Sequence, residues 1–238
     1  MKRPGRADGI PRIVDISAPL SAECEPWPGD EPVSLEPTAR IADGDSVNLS
    51  RLTTSPHNGT HADAPLHVTD EGAPADRLPL EAFMGPAVVL DGPDALALRG
   101  ADLERAVPRG HRVLLRWGRE DHRRFPEEIP GVPAAWIRRL AERDVPLLGT
   151  EAPSVDPVDS RDLPAHHACI EAGLQILENL VLAHVDPGRY ELRALPIRLE
   201  GADAAPVRAV LVDEEAGASG PGDAETTSTD EEPEDRDA

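Results

Sequence analysis

A chain of 238 residues with 24 Lys+Arg against 45 Asp+Glu, a formal charge of −21, is long enough to build a core without disulfides or a structural metal. That charge argues against nucleic acid and against an anionic membrane surface, since both call for clustered Lys and Arg. No run of 18 apolar residues occurs, so no membrane span is expected, and Cys24 and Cys169 form no CxxC, which points to a reducing cytoplasm.

In chain order, residues 1–11 read as a flexible arm. They begin with the basic Met1-Lys2-Arg3-Pro4-Gly5-Arg6, and no apolar stretch of a secretory signal follows. Residues 12–20 alternate and predict a strand, followed by a turn-rich stretch at Pro26, Trp27, Pro28, Gly29 and Asp30. Residues 46–55 are a second alternating strand. Val88-Val89-Leu90 and Val113-Leu114-Leu115 mark buried strands over 86–91 and 111–117. Between them, 102–107 predicts a short helix stopped by Pro108. The clearest helix is 133–144, with Pro133 in its first turn and Trp136, Ile137 and Leu140 on one face. A strand over 145–149 and a helix over 165–180 come next. Two strands fill 189–212, with Gly201 and Asp203 in the turn between them.

Strands outnumber helices, so the expected class is α/β or α+β in one domain over 12–212. Residues 213–238 hold eleven acidic residues and one basic residue, and no large apolar residue follows Val212. Such a tail cannot bury enough surface to offset chain entropy, so it reads as disordered.

Eight histidines stand at 57, 61, 67, 111, 122, 166, 167 and 184. Three fall in His57-x3-His61-x-Asp63-x3-His67, where every gap is even. An extended segment would project all four side chains to one side, but Gly59 and Pro65 interrupt it. The segment is therefore expected to bend around a common point. Imidazole with carboxylate suits Zn²⁺ or Mn²⁺. A nucleophile triad is the weaker reading, because Ser55 has no strand-to-helix elbow and Cys24 lies in a Pro-rich turn. His111, His122 and His184 read as structural or solvated, Trp117 and Trp136 as core, and Cys169 as a small buried apolar residue.

The stretch His57-x-Gly59-Thr60-His61-x-Asp63-x-Pro65-x-His67 resembles the HxGTHxDxPxH signature of the cyclase-family metal hydrolases, and in particular their kynurenine formamidase branch. The likeness extends to Pro26-Trp27-Pro28-Gly29-Asp30, to residues 149–157, to His166-His167 followed by Ile176-Leu177-Glu178-Asn179-Leu180, and to the segments 187–196 and 203–210. The resemblance implies an α/β fold of the swivelling β/β/α type, with a mixed sheet and flanking helices. It implies two divalent ions per subunit, zinc ahead of manganese. His57, His61 and Asp63 would hold one; Asp63 would bridge to the second, completed by His166 and Glu178. His67 would donate and accept the proton, and Trp27 would line the substrate pocket.

The resemblance further implies a homodimer and hydrolysis of N-formyl-L-kynurenine to L-kynurenine and formate in tryptophan breakdown. The alternative is another hydrolase of the family, acting on a cyclic amide or an isatin-like lactam. Two points stay open. In a regular helix over 165–180, His167 falls about 20° from Glu178 and His166 about 120°, so periodicity favours His167 and the resemblance His166. Glu151 stands where the family usually has Asp.

Overall fold

Short apolar runs alternating between two faces build most of the protein. The computed structural model describes residues 11–213, so residues 1–10 of the expected arm and 214–238 of the expected tail lie outside the described residues. The strands are β1 (Arg12–Asp15), β2 (Ser34–Ala39), β3 (Leu49–Thr53), β4 (His61–Asp63), β5 (Met84–Asp91), β6 (Arg112–Arg116), β7 (Leu147–Thr150), β8 (Gln175–Glu178), β9 (Gly188–Arg193), β10 (Ala204–Pro206) and β11 (Val210–Asp213). The helices are α1 (Gly92–Ala97), α2 (Gly100–Ala106), α3 (Ala134–Ala141) and α4 (Pro164–Ala172). Asp213, the last described residue, pairs with Arg12 in the β1–β11 ladder.

Nine strands form one sheet in the order β1-β11-β9-β5-β6-β7-β8-β4-β10, and β2 and β3 make a separate hairpin. The four central strands β5, β6, β7 and β8 pair in parallel, and the outer ones antiparallel. The period-two alternation divides the core. Val88, Val113, Leu115, Leu148 and Ile176 point to a layer shared with Ala95, Leu103, Trp136, Ile137, Leu140 and Cys169 from the four helices. Val89, Leu114, Leu147 and Leu177 point the other way, onto Val14, Ile16, Phe83, Leu192 and Leu211. Helices thus cover one face, while the curling ends of the sheet and its loops cover the other. This is the mixed sheet with flanking helices that the resemblance implies.

The expected helix over 165–180 is corrected to α4 followed by β8. Gly173 takes φ +72° and closes the helix with its N–H on the Cys169 and Ile170 carbonyls. Glycine occupies this left-handed position without the Cβ penalty of other residues. After it, Ile176 and Leu177 face opposite layers, as strand residues do. The helical-wheel comparison of His166 with His167 therefore loses its basis, since Glu178 is on a strand. Neither β2, β4, β10 nor α1 was legible in the sequence, being short or, in β2, lacking an apolar pattern.

Candidate metal centre

β4 lies between β8 and β10, with His61 opposite Glu178 and Pro206, and Asp63 opposite Ile176 and Ala204. Residues two apart on a strand share a face, and directly opposed residues bring their side chains together. His61, Asp63 and Glu178 meet for that reason. The chain before β4 turns at Gly59, whose φ is +66°; a Cβ there would lie 3.1 Å from Leu20 Cδ2. This turn folds His57 back over Asp63. After β4, the 3-10 turn Pro65–His67 brings His67 onto His57, with ring centroids 4.2 Å apart. The bend inferred from Gly59 and Pro65 is thus present.

His57 Nδ1 lies 3.2 Å from Asp63 Oδ1, His61 Nε2 lies 3.3 Å from the same oxygen, and His166 Nε2 lies 3.3 Å from Asp63 Oδ2. Glu178 stands 3.4 Å from His61 Nε2 and 3.6 Å from His166 Nε2. His166 is buried and reaches this cluster from the first turn of α4, whereas His167 is exposed.

Each of these three imidazoles turns one nitrogen inward and anchors the other. His61 Nδ1 lies 3.0 Å from the Gly59 carbonyl, His57 Nε2 lies 3.0 Å from Asp203 Oδ2, and His166 Nδ1 lies 2.7 Å from Asp156 Oδ2. Metal-ligating histidines are oriented in this way by outer carboxylates and carbonyls.

Electrostatics follow from the packing. Burial works against charge on His61, but Asp63 and Glu178 outweigh it and raise its pKa to about 10. Burial likewise opposes charge on His166, yet Asp156, Asp63 and Glu178 raise its pKa to about 10. Asp63 is fully enclosed, which disfavours its charge, but His166, His57 and His61 hold its pKa well below the usual carboxylate range.

The residues suit a cation. His61 Nε2 and both Asp63 oxygens are buried and take no hydrogen bond, although nitrogens stand 3.2–3.3 Å away. Donor atoms aimed at a shared space rather than at one another fit a divalent ion with N and O ligands. Ligand atoms of His57, His61 and Asp63 lie within 4.8 Å of one another, as do those of Asp63, His67 and His166, and of His57, His67 and Asp203.

The cluster opens into a cavity of about 370 Å³, lined also by Trp27, Phe125, Arg119 and His122. Trp27 packs edge-on against Phe125, with centroids 5.2 Å apart. Glu151 does not line this cavity. It is fully buried and accepts N–H groups from Trp117 at 2.7 Å, Arg119 at 3.1 Å and Leu182 at 2.9 Å.

Three further residues at the site carry no signal of that role in the sequence. Asp203, expected in a turn between terminal strands, precedes β10 and reaches both His57 and His67, the latter at 3.5 Å. Asp156 accepts the main-chain N–H of His166 as well as facing its ring. His122, read as structural or solvated, presents a side chain only 7% exposed to the cavity lining. The quoted motif stretches contained both aspartates, but nothing in the spacing told what they would touch.

The Cyclase family model, described as "Putative cyclase", matches residues 14–157. A kynurenine formamidase from Salinibacter ruber is 47% identical over 208 residues, which span 84% of this chain and 97% of that protein. A kynurenine formamidase from Bacillus thuringiensis is 42% identical over 200 residues, spanning 83% and 96%. Among solved structures, a predicted metal-dependent hydrolase from Bacillus stearothermophilus superimposes with TM-score 0.70 at 27% identity, over 85% of this chain and 98% of that one. Isatin hydrolase A from Labrenzia aggregata gives TM-score 0.71 at 25% identity, over 86% and 94%.

Proposed function

This chain belongs to the cyclase family of metal-dependent hydrolases, and from that membership we propose that it hydrolyses N-formyl-L-kynurenine to L-kynurenine and formate. The observation that carries the chemistry is the convergence of three anchored imidazoles on one buried carboxylate. The substrate follows from the kynurenine formamidases, 47% and 42% identical over most of the chain. Hydrolysis of an isatin-like lactam is the weaker reading, supported by 25% identity to an isatin hydrolase.

In this reading His57, His61 and Asp63 would hold one cation, and Asp63, His166 and Glu178 would hold a second. Zinc is the first choice for a site of imidazoles and carboxylates, manganese the second. Two such ions would supply an acidified water and an electrophile for the formyl oxygen. His67, at the rim and partly exposed, takes the proton from the attacking water and returns it to the departing aniline nitrogen. An imidazole suits both transfers because it can accept a proton at one ring nitrogen and give it back from the same atom. Asp203 beside its Nδ1 fixes the ring. Trp27, held by Phe125, packs against the aryl ring.

The protein acts as a homodimer through the β2–β3 hairpin, which stands outside the main sheet and exposes Leu35 and Leu52 as a directly opposed pair. Its two cysteines are free, which suits a reducing cytoplasm. Among the described residues no helix is long and apolar enough to cross a membrane.

Formate release from N-formyl-L-kynurenine, measured beside isatin and a small cyclic imide, tests the substrate. The expected kcat/KM for the formanilide exceeds that for either ring substrate by ~10²-fold or more; faster opening of isatin would overturn the assignment.

A further inference from the structure

The proposed substrate has a second polar end. Opposite the formamide it carries an α-carboxylate and an α-ammonium, and an anion entering a cavity needs a cation or several N–H donors. Arg119 is the one Arg or Lys that lines the cavity among the described residues. Its neighbours Arg123 and Arg124 are paired with Glu23 at 2.7 Å and Glu25 at 2.6 Å, whereas Arg119 makes no such ion pair among the described residues. Its guanidinium donates to the Asp121 carbonyl at 3.2 Å, the Arg124 carbonyl at 2.5 Å and Asn179 Oδ1 at 3.2 Å. A guanidinium has five N–H donors, so two remain. It is partly buried, and burial pulls its pKa down from the ordinary value against the opposing charges of Glu151 and Asp121.

His122 lines the same cavity three residues further on. Its side chain is 7% exposed, with Nε2 3.7 Å from Glu151 Oε1, and both ring nitrogens are buried without a hydrogen bond. The segment carrying both residues is pinned at each end, by Trp117 N–H on Glu151 at 2.7 Å and by Phe125 N–H on Glu25 at 2.9 Å. The same segment supplies Phe125 to Trp27, so the aryl contact and these free donors are set by one piece of chain.

We propose that Arg119 and His122 form the pocket for the α-carboxylate of the substrate, Arg119 as the charge partner and His122 as a second donor. They would thereby select formylkynurenine over formanilides that lack the amino-acid end. This rests on the formylkynurenine reading of the same site.

The test compares N-formyl-L-kynurenine with 2-formamidoacetophenone, which keeps the formanilide and the ketone but has no carboxylate. Arg119→Gln should lower kcat/KM for formylkynurenine by ~10²-fold, chiefly through KM. It should leave 2-formamidoacetophenone within about threefold of the wild-type value. Arg119→Lys, which restores the charge without the fork, should recover part of the loss, and His122→Gln should show the same selectivity at about tenfold. Because the carboxylate-free substrate reports on the folded site, a loosened loop would depress both activities together. Equal losses on both substrates in the Arg119 and His122 variants, or no loss on either, would overturn the pocket. Wild-type protein that turns over neither formanilide would instead overturn the formylkynurenine reading itself, and the pocket with it.

Discussion

Asp63 is surrounded by three imidazole nitrogens at 3.2–3.3 Å and accepts a hydrogen bond from none. A buried carboxylate in that position calls for a cation. His67 differs from the other histidines in being at the rim, with a third of its side chain exposed. His67→Ala should therefore keep the metal while kcat falls by ~10²–10⁴. Metal analysis of the variant decides the point, since its ligand atom also comes within reach of Asp63 and His166; loss of an ion with the activity would make His67 a ligand.

A second expectation follows from the raised pKa values of about 10 at His61 and His166. Without metal both imidazoles hold protons at neutral pH, and a cation must displace them. Apparent affinity should rise with pH on the neutral side of 10, by about tenfold per pH unit for each proton displaced. Calorimetry in buffers of different protonation enthalpy reads that release; affinity independent of pH would contradict the ionic network described. At this scale the sequence pattern was informative for the residues packed within ten positions, His57 to His67. It was silent on Asp156 and Asp203, whose partners lie 10 and 146 positions away.

The elements explain how so short a strand can carry the site. β4 has three residues, too few to announce itself by alternation, yet it is flanked on both sides in the sheet. Its register opposite β8 brings Glu178 to His61 across 117 positions, which no local pattern encodes. The misread helix over 165–180 has the same origin. Ile176, Leu177 and Leu180 satisfy a helical period as well as a strand's, and the left-handed Gly173 decides between them.

The β2–β3 hairpin makes the element-scale prediction. Its opposed Leu35 and Leu52 are more than half exposed. On the proposed homodimer, Leu35→Glu with Leu52→Glu should lower the mass in light scattering to that of a monomer. Loss of the interface should also remove the dependence of the melting temperature on protein concentration. An unchanged mass would remove the hairpin from the interface.

At the scale of the molecule, the charge of −21 says little about the chemistry. The carboxylates that matter, Asp63, Glu178, Asp156 and Glu151, are all buried and contribute nothing to an acidic surface. The charge argues against polyanion partners. The short apolar runs located the central strands β5, β6 and β7, because parallel strands covered on both faces read as continuous apolar segments. Strand order, curling and the division of the core into two layers depend on pairings far apart in sequence and were not legible.

We propose that metal held by these residues drives deformylation, and a single titration tests it. Chelator-stripped protein is reloaded with Zn²⁺ or Mn²⁺ while bound metal and formate release from N-formyl-L-kynurenine are followed together. The predicted result is no turnover in the stripped protein and activity that climbs with occupancy to a plateau at two equivalents per subunit. Full activity in the stripped protein, or a plateau unrelated to metal content, would contradict it.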